Sequence, residues 1–414
     1  MTNFKLRLAT AIATGAVLAQ TIVPAFAATQ TYTISGNGSS SESSIDVERD
    51  TDVNVTQNNE ADFDNNIDVN SSTGGNSASD NTGGDVKVET GDSNVDVTVK
   101  NSANANNANV TSCGGCLGGN ATVEVSGNGT NSDNDVDLDY DTDVDVDQDN
   151  NADFYNEVDV DSDTGDNDAD DNTGGDVEVI TGQSDVTVMI KNQANSNSAT
   201  VGGGSGSEEG GTLSAKILGN GSNSDNDIDL DFDSDVELDQ DNDADFDNEV
   251  DVDSDTGDND ADDNTGGDVS IDTGDSNVDV TLDNMANFNA ADVEACGCLS
   301  DLEAKIAGNG TDSDNEIEFE SESDLDVDQD NNAVVNNDVD ADSDTGDNDA
   351  DDNTVWEGSD PSVTTGASDV TVEALNTGNM NLYGPDADVD LGDLHLDLSF
   401  DLGDLVDWLL SQDN

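Results

Sequence analysis

From Asn226 to Thr256 the chain alternates without a slip between two classes of residue. The even positions read Asn226, Ile228, Leu230, Phe232, Ser234, Val236, Leu238, Gln240, Asn242, Ala244, Phe246, Asn248, Val250, Val252, Ser254 and Thr256. The odd positions between them are all Asp, apart from Glu237 and Glu249. A period of two means a β-strand with one face buried and one face in water. Composition argues the opposite. With 32% hydrophobic residues, 4% aromatics and a net charge of −90, charge and hydropathy alone place the chain among disordered proteins. The phase decides, because a disordered acidic chain has no reason to keep it for so long.

The same pattern recurs. Gly-Asn-Gly occurs at Gly36, Gly127, Gly219 and Gly308, in steps of 91, 92 and 89 residues. Gln-x-Asn-x-Ala keeps that phase at Gln57, Gln148, Gln240 and Gln329, and Asn-Thr-Gly-Gly at Asn81, Asn172 and Asn264. The fourth copy has Asn353-Thr354-Val355-Trp356 there, a degenerate unit of the kind that ends repeat arrays. The division reads as 1–27 leader, 28–125, 126–217 and 218–306 as repeats one to three, 307–385 as the degenerate fourth, and 386–414 as a cap or docking segment.

The expected fold class is all-β, with four tandem repeats of ~90 residues forming a β-solenoid-like stack; tandem β-sandwich units are the alternative. A straight strand of this length would span ~100 Å, against the ~3–10 residues of ordinary strands, so the chain is expected to bend. The polar inward residues Ser234, Gln240, Asn242, Asn248 and Ser254 then mark corners, or stack as Asn/Gln ladders from rung to rung. A Gly/Asn-rich bend follows in each full copy (73–84, 164–175, 256–267). Two short strands come next, in the third copy Val269/Ile271 and Val278/Val280/Leu282, and then an Asn/Ala run.

The first 27 residues have the layout of a secretory signal: Lys5 and Arg7, an apolar run from Leu8 to Val23, and Ala25-Phe26-Ala27 as a small-x-small cleavage site. They hold two of the eight basic residues and no acidic one, so cleavage would take the net charge from −90 to −92. The expected location is secreted, extracellular or cell-surface, with no transmembrane anchor in the mature chain. Nucleic acid and anionic lipid are excluded as simple electrostatic partners. Divalent cations are favoured, with cell-surface components or further copies of the chain as macromolecular candidates. The tail, with Leu391, Leu394, Leu396, Leu398, Phe400 and the segment 405–410, is expected to cap the last rung or dock a partner.

The acidic faces are the chief chemical feature. Asp residues at i and i+2 on a strand lie ~7 Å apart and repel by roughly 0.6 kcal/mol in water before screening. Ca²⁺, a hard cation that prefers carboxylate oxygens, would relieve this. The candidate ligands are Asp161, Asp163, Asp166 and Asp168, repeated as Asp253, Asp255, Asp258 and Asp260. Their spacing is not that of an EF-hand, with Gly one place early and no closing Glu, so diffuse binding is expected rather than one defined loop. Solvation of a charged face alone is the plainer reading. No cofactor is required. Cys113/Cys116 and Cys296/Cys298 are expected to form two local disulfides in an exported protein; a Cys₄ zinc site would need linkers nearly two copies apart to meet. His395 is the single histidine, no Ser/His/Asp set can be drawn, and the chain is not expected to be an enzyme.

Together, the leader, Gly-Asn-Gly, Gln-x-Asn-x-Ala, Asn-Thr-Gly-Gly, Thr-Gly-Asp-Ser and Cys-Gly-Gly-Cys resemble predicted Asn/Gly-rich repeat surface proteins of candidate-phylum bacteria, over nearly all of residues 31–382. That resemblance implies location more than function. Gln-x-Asn-x-Ala is also similar to the curlin amyloid repeats with their inward Gln/Asn ladders, although curlin units are far shorter and their Gln-x-Gly step is missing here. The functional expectation is a structural or adhesive repeat protein with an acidic, cation-binding surface. The alternatives are an extracellular Ca²⁺-binding or sequestering protein and, more weakly, a cell-wall or glycan-binding module.

Overall fold

The computed structural model describes residues 7–14, 17–22, 30–110, 120–202, 211–293, 299–355 and 360–384. Strands β1 (Arg7–Thr14) and β2 (Val17–Ile22) come first, and four repeating sets follow. The first rung is β3 (Gln30–Ser35), β4 (Glu42–Ser72), β5 (Val86–Glu89) and β6 (Ser93–Val110). The second is β7 (Ala121–Ser126), β8 (Asp133–Asp163), β9 (Val177–Ile180) and β10 (Ser184–Val201). The third is β11 (Gly211–Leu218), β12 (Asp225–Asp255), β13 (Val269–Asp272) and β14 (Ser276–Val293). The fourth is β15 (Leu299–Ala307), β16 (Asp314–Asp344), β17 (Ser362–Thr364) and β18 (Ser368–Tyr383).

Each strand pairs in parallel with its counterpart in the neighbouring rung, so the sheets run β3-β7-β11-β15, β4-β8-β12-β16, β5-β9-β13-β17 and β6-β10-β14-β18. The architecture is a parallel β-solenoid-like stack rather than a row of sandwiches. Along the long strands the register never shifts: Asp225 lies beside Asp133 and Asp314, and Asp255 beside Asp163 and Asp344. The turns are stacked as well, the Thr164 amide donating to the Asp255 carbonyl at 2.8 Å and that of Thr73 to Asp163 at the same distance.

Within a rung the long strand faces the others across the core. Val136, Leu138 and Tyr140 of β8 pack with Val123 and Val125 of β7. Further along, Val144 and Val146 meet Ala199 and Val201 of β10, Phe154 meets Ala194, and Val158 and Val160 meet Val186 and Val188. Residue numbers rise along β8 and fall along its partner, so each rung is a flattened loop doubled back on itself. Like side chains stack between rungs. Phe63, Phe154 and Phe246 form a column with ring centroids 4.9 and 5.0 Å apart, the spacing of hydrogen-bonded strands. Such offset aromatic pairs add ~0.5–1.5 kcal/mol each beyond the area they bury.

The expected corners are not there. β12 runs unbroken through Ser234, Gln240, Asn242, Asn248 and Ser254, and all of these but Ser234 link rung to rung through their side chains. Asn156 Nδ2 donates to Asn248 Oδ1 at 2.7 Å, and Ser254 Oγ donates to Ser184 Oγ of the second rung at 2.8 Å. A buried amide left alone would cost ~1–3 kcal/mol, and stacking identical amides satisfies each with its own repeat. The real kink lies in the returning strand. Asn104, Asn195, Asn287 and Asn379 all take left-handed backbone, with φ of 60°, 59°, 61° and 57°. Asn tolerates that region better than other side-chain-bearing residues. Its amide then bridges the core, Asn195 Nδ2 reaching the Asp243 carbonyl at 2.5 Å.

The Thr-Gly step after each long strand has a different cause. A Cβ on Gly165 would lie 1.9 Å from the Gly257 carbonyl oxygen, and one on Gly257 2.1 Å from that of Gly346. The stack closes onto bare backbone here, which explains why Thr-Gly persists in every copy while the neighbouring Asp residues do not.

Candidate functional site

The outward face of the β4-β8-β12-β16 sheet carries the charge. Every outward position of β12 is Asp or Glu, and parallel in-register pairing places these carboxylates in rows that run across the rungs. Asp239 lies between Asp147 and Asp328, Asp241 between Asp149 and Asp330, and Asp251 between Asp159 and Asp340. Strands in a sheet are ~4.8 Å apart, closer than the ~7 Å between neighbours along one strand. The rows across rungs are therefore the tighter set. β8, β12 and β16 contain no Lys or Arg to offset them.

The cost appears in the acidities. Asp239, Asp241, Asp251 and Asp253 are all held above the usual carboxylate range, first by partial burial and then by the carboxylates on either side. Asp137, Asp139, Asp143 and Asp147 of β8 are raised for the same two reasons in the same order.

A groove of about 600 Å³ crosses this face, lined by Asp52, Asn54, Asp143, Asp145, Asp235 and Glu237 together with Val53 and Val144. Asn54 Nδ2 donates to Asp145 Oδ2 at 3.2 Å. Beneath it, the hydroxyls of Thr142 and Ser234 are buried and have no hydrogen-bond partner among the described residues. Nothing in the alternation of β12 distinguishes this position from its neighbours, because every outward residue of that strand is acidic.

The candidate loop ligands are placed differently from a coordinating cage. Asp163 Oδ1 accepts the Gly165 amide at 2.6 Å and Asp255 Oδ1 that of Gly257 at 2.5 Å, so each holds its own turn. Asp166 and Asp258 sit in the left-handed region, with φ of 54° and 51°. Asp161 accepts Asn70 Nδ2 at 2.8 Å, and Asp168 accepts Ser79 Oγ at 2.8 Å. The stack brings these residues together across rungs: Asp161 lies beside Asp253, and Asp168 bridges to Asp260. It does not gather one loop's carboxylates around a point. Among the described residues no group of three or more His, Cys, Asp or Glu is arranged to hold a metal ion.

Two of these carboxyls stand out. Asp255 is pushed up to about 6 by burial, against the lowering effect of the Gly257 amide, with Asp258, Asp163 and Asp344 adding repulsion. Asp260 is also pushed up to about 6, by burial first and then by Asp170 and Asp262. Its Oδ1 is buried without a hydrogen-bond partner among the described residues. On the other faces basic side chains already link rungs, as Lys191 Nζ does to Asp283 Oδ2 at 2.9 Å and Lys87 Nζ to Glu178 Oε2 at 3.1 Å.

Comparison with protein-family models, with curated proteins and with solved structures returned no match to this chain. Cys113, Cys116, Cys296, Cys298, His395 and the tail 386–414 lie outside the described residues.

Proposed function

We propose that this is an exported structural repeat protein, secreted or held at the cell surface, whose acidic sheet binds divalent cations diffusely. The observation that carries the reading is the pairing of Asp239 with Asp147 and Asp328 in an unbroken carboxylate row, on three strands that supply no basic residue. Cations from solution are the counter-ions such a face calls for, and carboxylate oxygens suit Ca²⁺. A rigid stack keeps the rows at fixed spacing, so binding many weak cations needs no dedicated loop. The length and repetition of the stack favour a structural or adhesive role, and the same rows would serve a sequestering one. Isothermal titration of the chain from residue 28 onward with CaCl₂ tests the reading. Several weak sites per chain are expected, and they should be lost in the urea-unfolded protein. Absence of binding, or equal binding by the unfolded chain, would overturn it.

A further inference from the structure

The two ends of the stack are complementary. In the fourth rung the inward apolar set lies open. Val370 and Val372 are 45% and 48% exposed, against 2% and 0% for their register partners Val278 and Val280. Leu325 and Phe319 are open in the same way, and the 31-residue β16 and 16-residue β18 form one edge of their sheets. An occupant that pairs along both edges brings a full rung of its own, and a second copy of this chain does so.

The side-chain ladders fix which end it would present. Asn59 Nδ2 donates to Asn150 Oδ1, Asn150 to Asn242 and Asn242 to Asn331, always toward the fourth rung, and Asn104, Asn195, Asn287 and Asn379 follow the same direction. The glutamines run the opposite way: Gln148 donates to Gln57, Gln240 to Gln148 and Gln329 to Gln240. At the first rung Asn59 Oδ1 and Asn104 Oδ1 are buried with no hydrogen-bond partner among the described residues. Only a fourth rung set against this first rung would give those two oxygens an Asn amide (Asn331 and Asn379) and offer Gln329 Oε1 the amide of Gln57. Like ends would set Asn acceptors against acceptors at the first rung, or Asn donors against donors at the fourth.

Charge agrees. In repeat register, Asn54, Thr56 and Asn58 would face Asp326, Asp328 and Asp330, and Asn66, Asn70 and Ser72 would face Asp338, Asp342 and Asp344. The first rung is neutral at these outward positions, where the two middle rungs are acidic. Inside the chain those amides already act this way upon the second rung, Asn66 Nδ2 meeting Glu157 Oε2 at 2.5 Å and Asn70 Nδ2 meeting Asp161 Oδ2 at 2.8 Å.

One segment occupies part of this end. β1 lies parallel on β6 with Arg7 beside Val95 and Thr14 beside Ser102, and β2 continues with Val17 beside Ala105 and Ile22 beside Val110. They take the place along β6 that β18 of a second copy would occupy. We propose that β1 and β2 block this edge, and that removal of residues 1–27 lets copies stack head to tail, the fourth rung of one against the first rung of the next. A heterologous contact of this kind does not close and grows into filaments.

Sedimentation velocity and electron microscopy of chains 1–414 and 28–414, at physiological ionic strength with Ca²⁺, test this. The shorter chain should form concentration-dependent oligomers beyond the dimer and the longer one should remain monomeric. Leu325→Lys combined with Val372→Lys, both on the exposed rung, should return the shorter chain to monomer without lowering its melting temperature. Adjacent strands are within disulfide reach, so mixing Asn58→Cys chains with Asp330→Cys chains should give mixed cross-links, read by peptide mapping. A monomeric 28–414 at every concentration would overturn the stacking. Cross-linking of Asp330→Cys chains to one another would overturn the head-to-tail polarity, and oligomers of 1–414 would overturn the blocking role. A 28–414 chain that stays monomeric while 28–384 assembles would show the tail to be the occupant instead.

Discussion

Gln240 donates its side-chain amide to Gln148 at 2.7 Å, and neither residue is reached by solvent. The same amide also donates to the Ala290 carbonyl across the core, at 3.2 Å. One side chain therefore ties rung to rung and wall to wall. Replacing it by Leu keeps the volume but leaves the buried Gln148 Oε1 without its donor, while the half-buried Gln329 Nε2 keeps only the Leu382 carbonyl. With ~1–3 kcal/mol for each stranded buried group, Gln240→Leu is expected to destabilise the chain by about 2 kcal/mol or more in urea unfolding, with little change in the slope.

Gly257 should tolerate nothing larger. Its Cβ would meet the Gly346 carbonyl at 2.1 Å, and neither backbone can retreat without breaking the stacked turns. Gly257→Ala is expected to cost about 2–3 kcal/mol, the upper range for overpacking. Gly38→Ala, where the first rung leaves open space, should be near neutral. Thermal melts of the two variants side by side check this.

Acid should stabilise this protein over a window in which it weakens many others. Asp255 and Asp260 are held at about 6, and the row carboxylates are raised as well, while an unfolded Asp titrates near ~3.9. Between those values the folded chain binds more protons than the unfolded one, so stability falls as pH rises through the window. Melting temperature is expected to climb as pH is lowered from ~7 toward ~4. Asp260→Asn should raise the melting temperature at neutral pH and flatten part of the dependence.

Cations should act by coordination as well as by screening. The rows are closer in the folded sheet than in the expanded chain, so an ion that bridges them binds the native state preferentially. Screening alone predicts equal effects at equal ionic strength. Melting curves in CaCl₂ and NaCl matched for ionic strength are expected to show the larger rise with Ca²⁺, and Asp143→Asn with Asp235→Asn in the groove should reduce the difference.

Much of the fold could be read from the chain. The alternation from Asn226 to Thr256 is one strand, and the phased Gly-Asn-Gly and Gln-x-Asn-x-Ala markers lie in register as rungs. What Gln240 and Asn248 do could not be read, because an inward polar residue looks alike at a corner and in a ladder. The difference depends on whether its counterpart about 90 residues away is a neighbour in space, which belongs to the whole stack. The kink at Asn195 was hidden for a related reason, since an Asn among Asn and Ala residues carries no local mark of left-handed backbone. The turn carboxylates were open to two readings, and Asp163 and Asp255 hold backbone amides. The amides of Asn54, Asn66 and Asn70 resemble drift from an Asp pattern until the first rung is seen to be an end.

The register has one more effect, on how the chain acquires its shape. Each residue of β12 is bonded to strands 89 to 92 positions away, and the turns follow the same rule. A lone rung has no partner for its long strand, so the smallest cooperative unit is a pair. Closing a loop of about 90 residues is the slow, entropically uphill step, and its cost grows only logarithmically with length. Once two rungs have met, every later one finds a finished template, and its pairing starts from a surface already ordered. Folding should thus show a lag set by the first encounter and then rapid accretion, and a chain cut down to one repeat should remain unfolded however favourable its alternation.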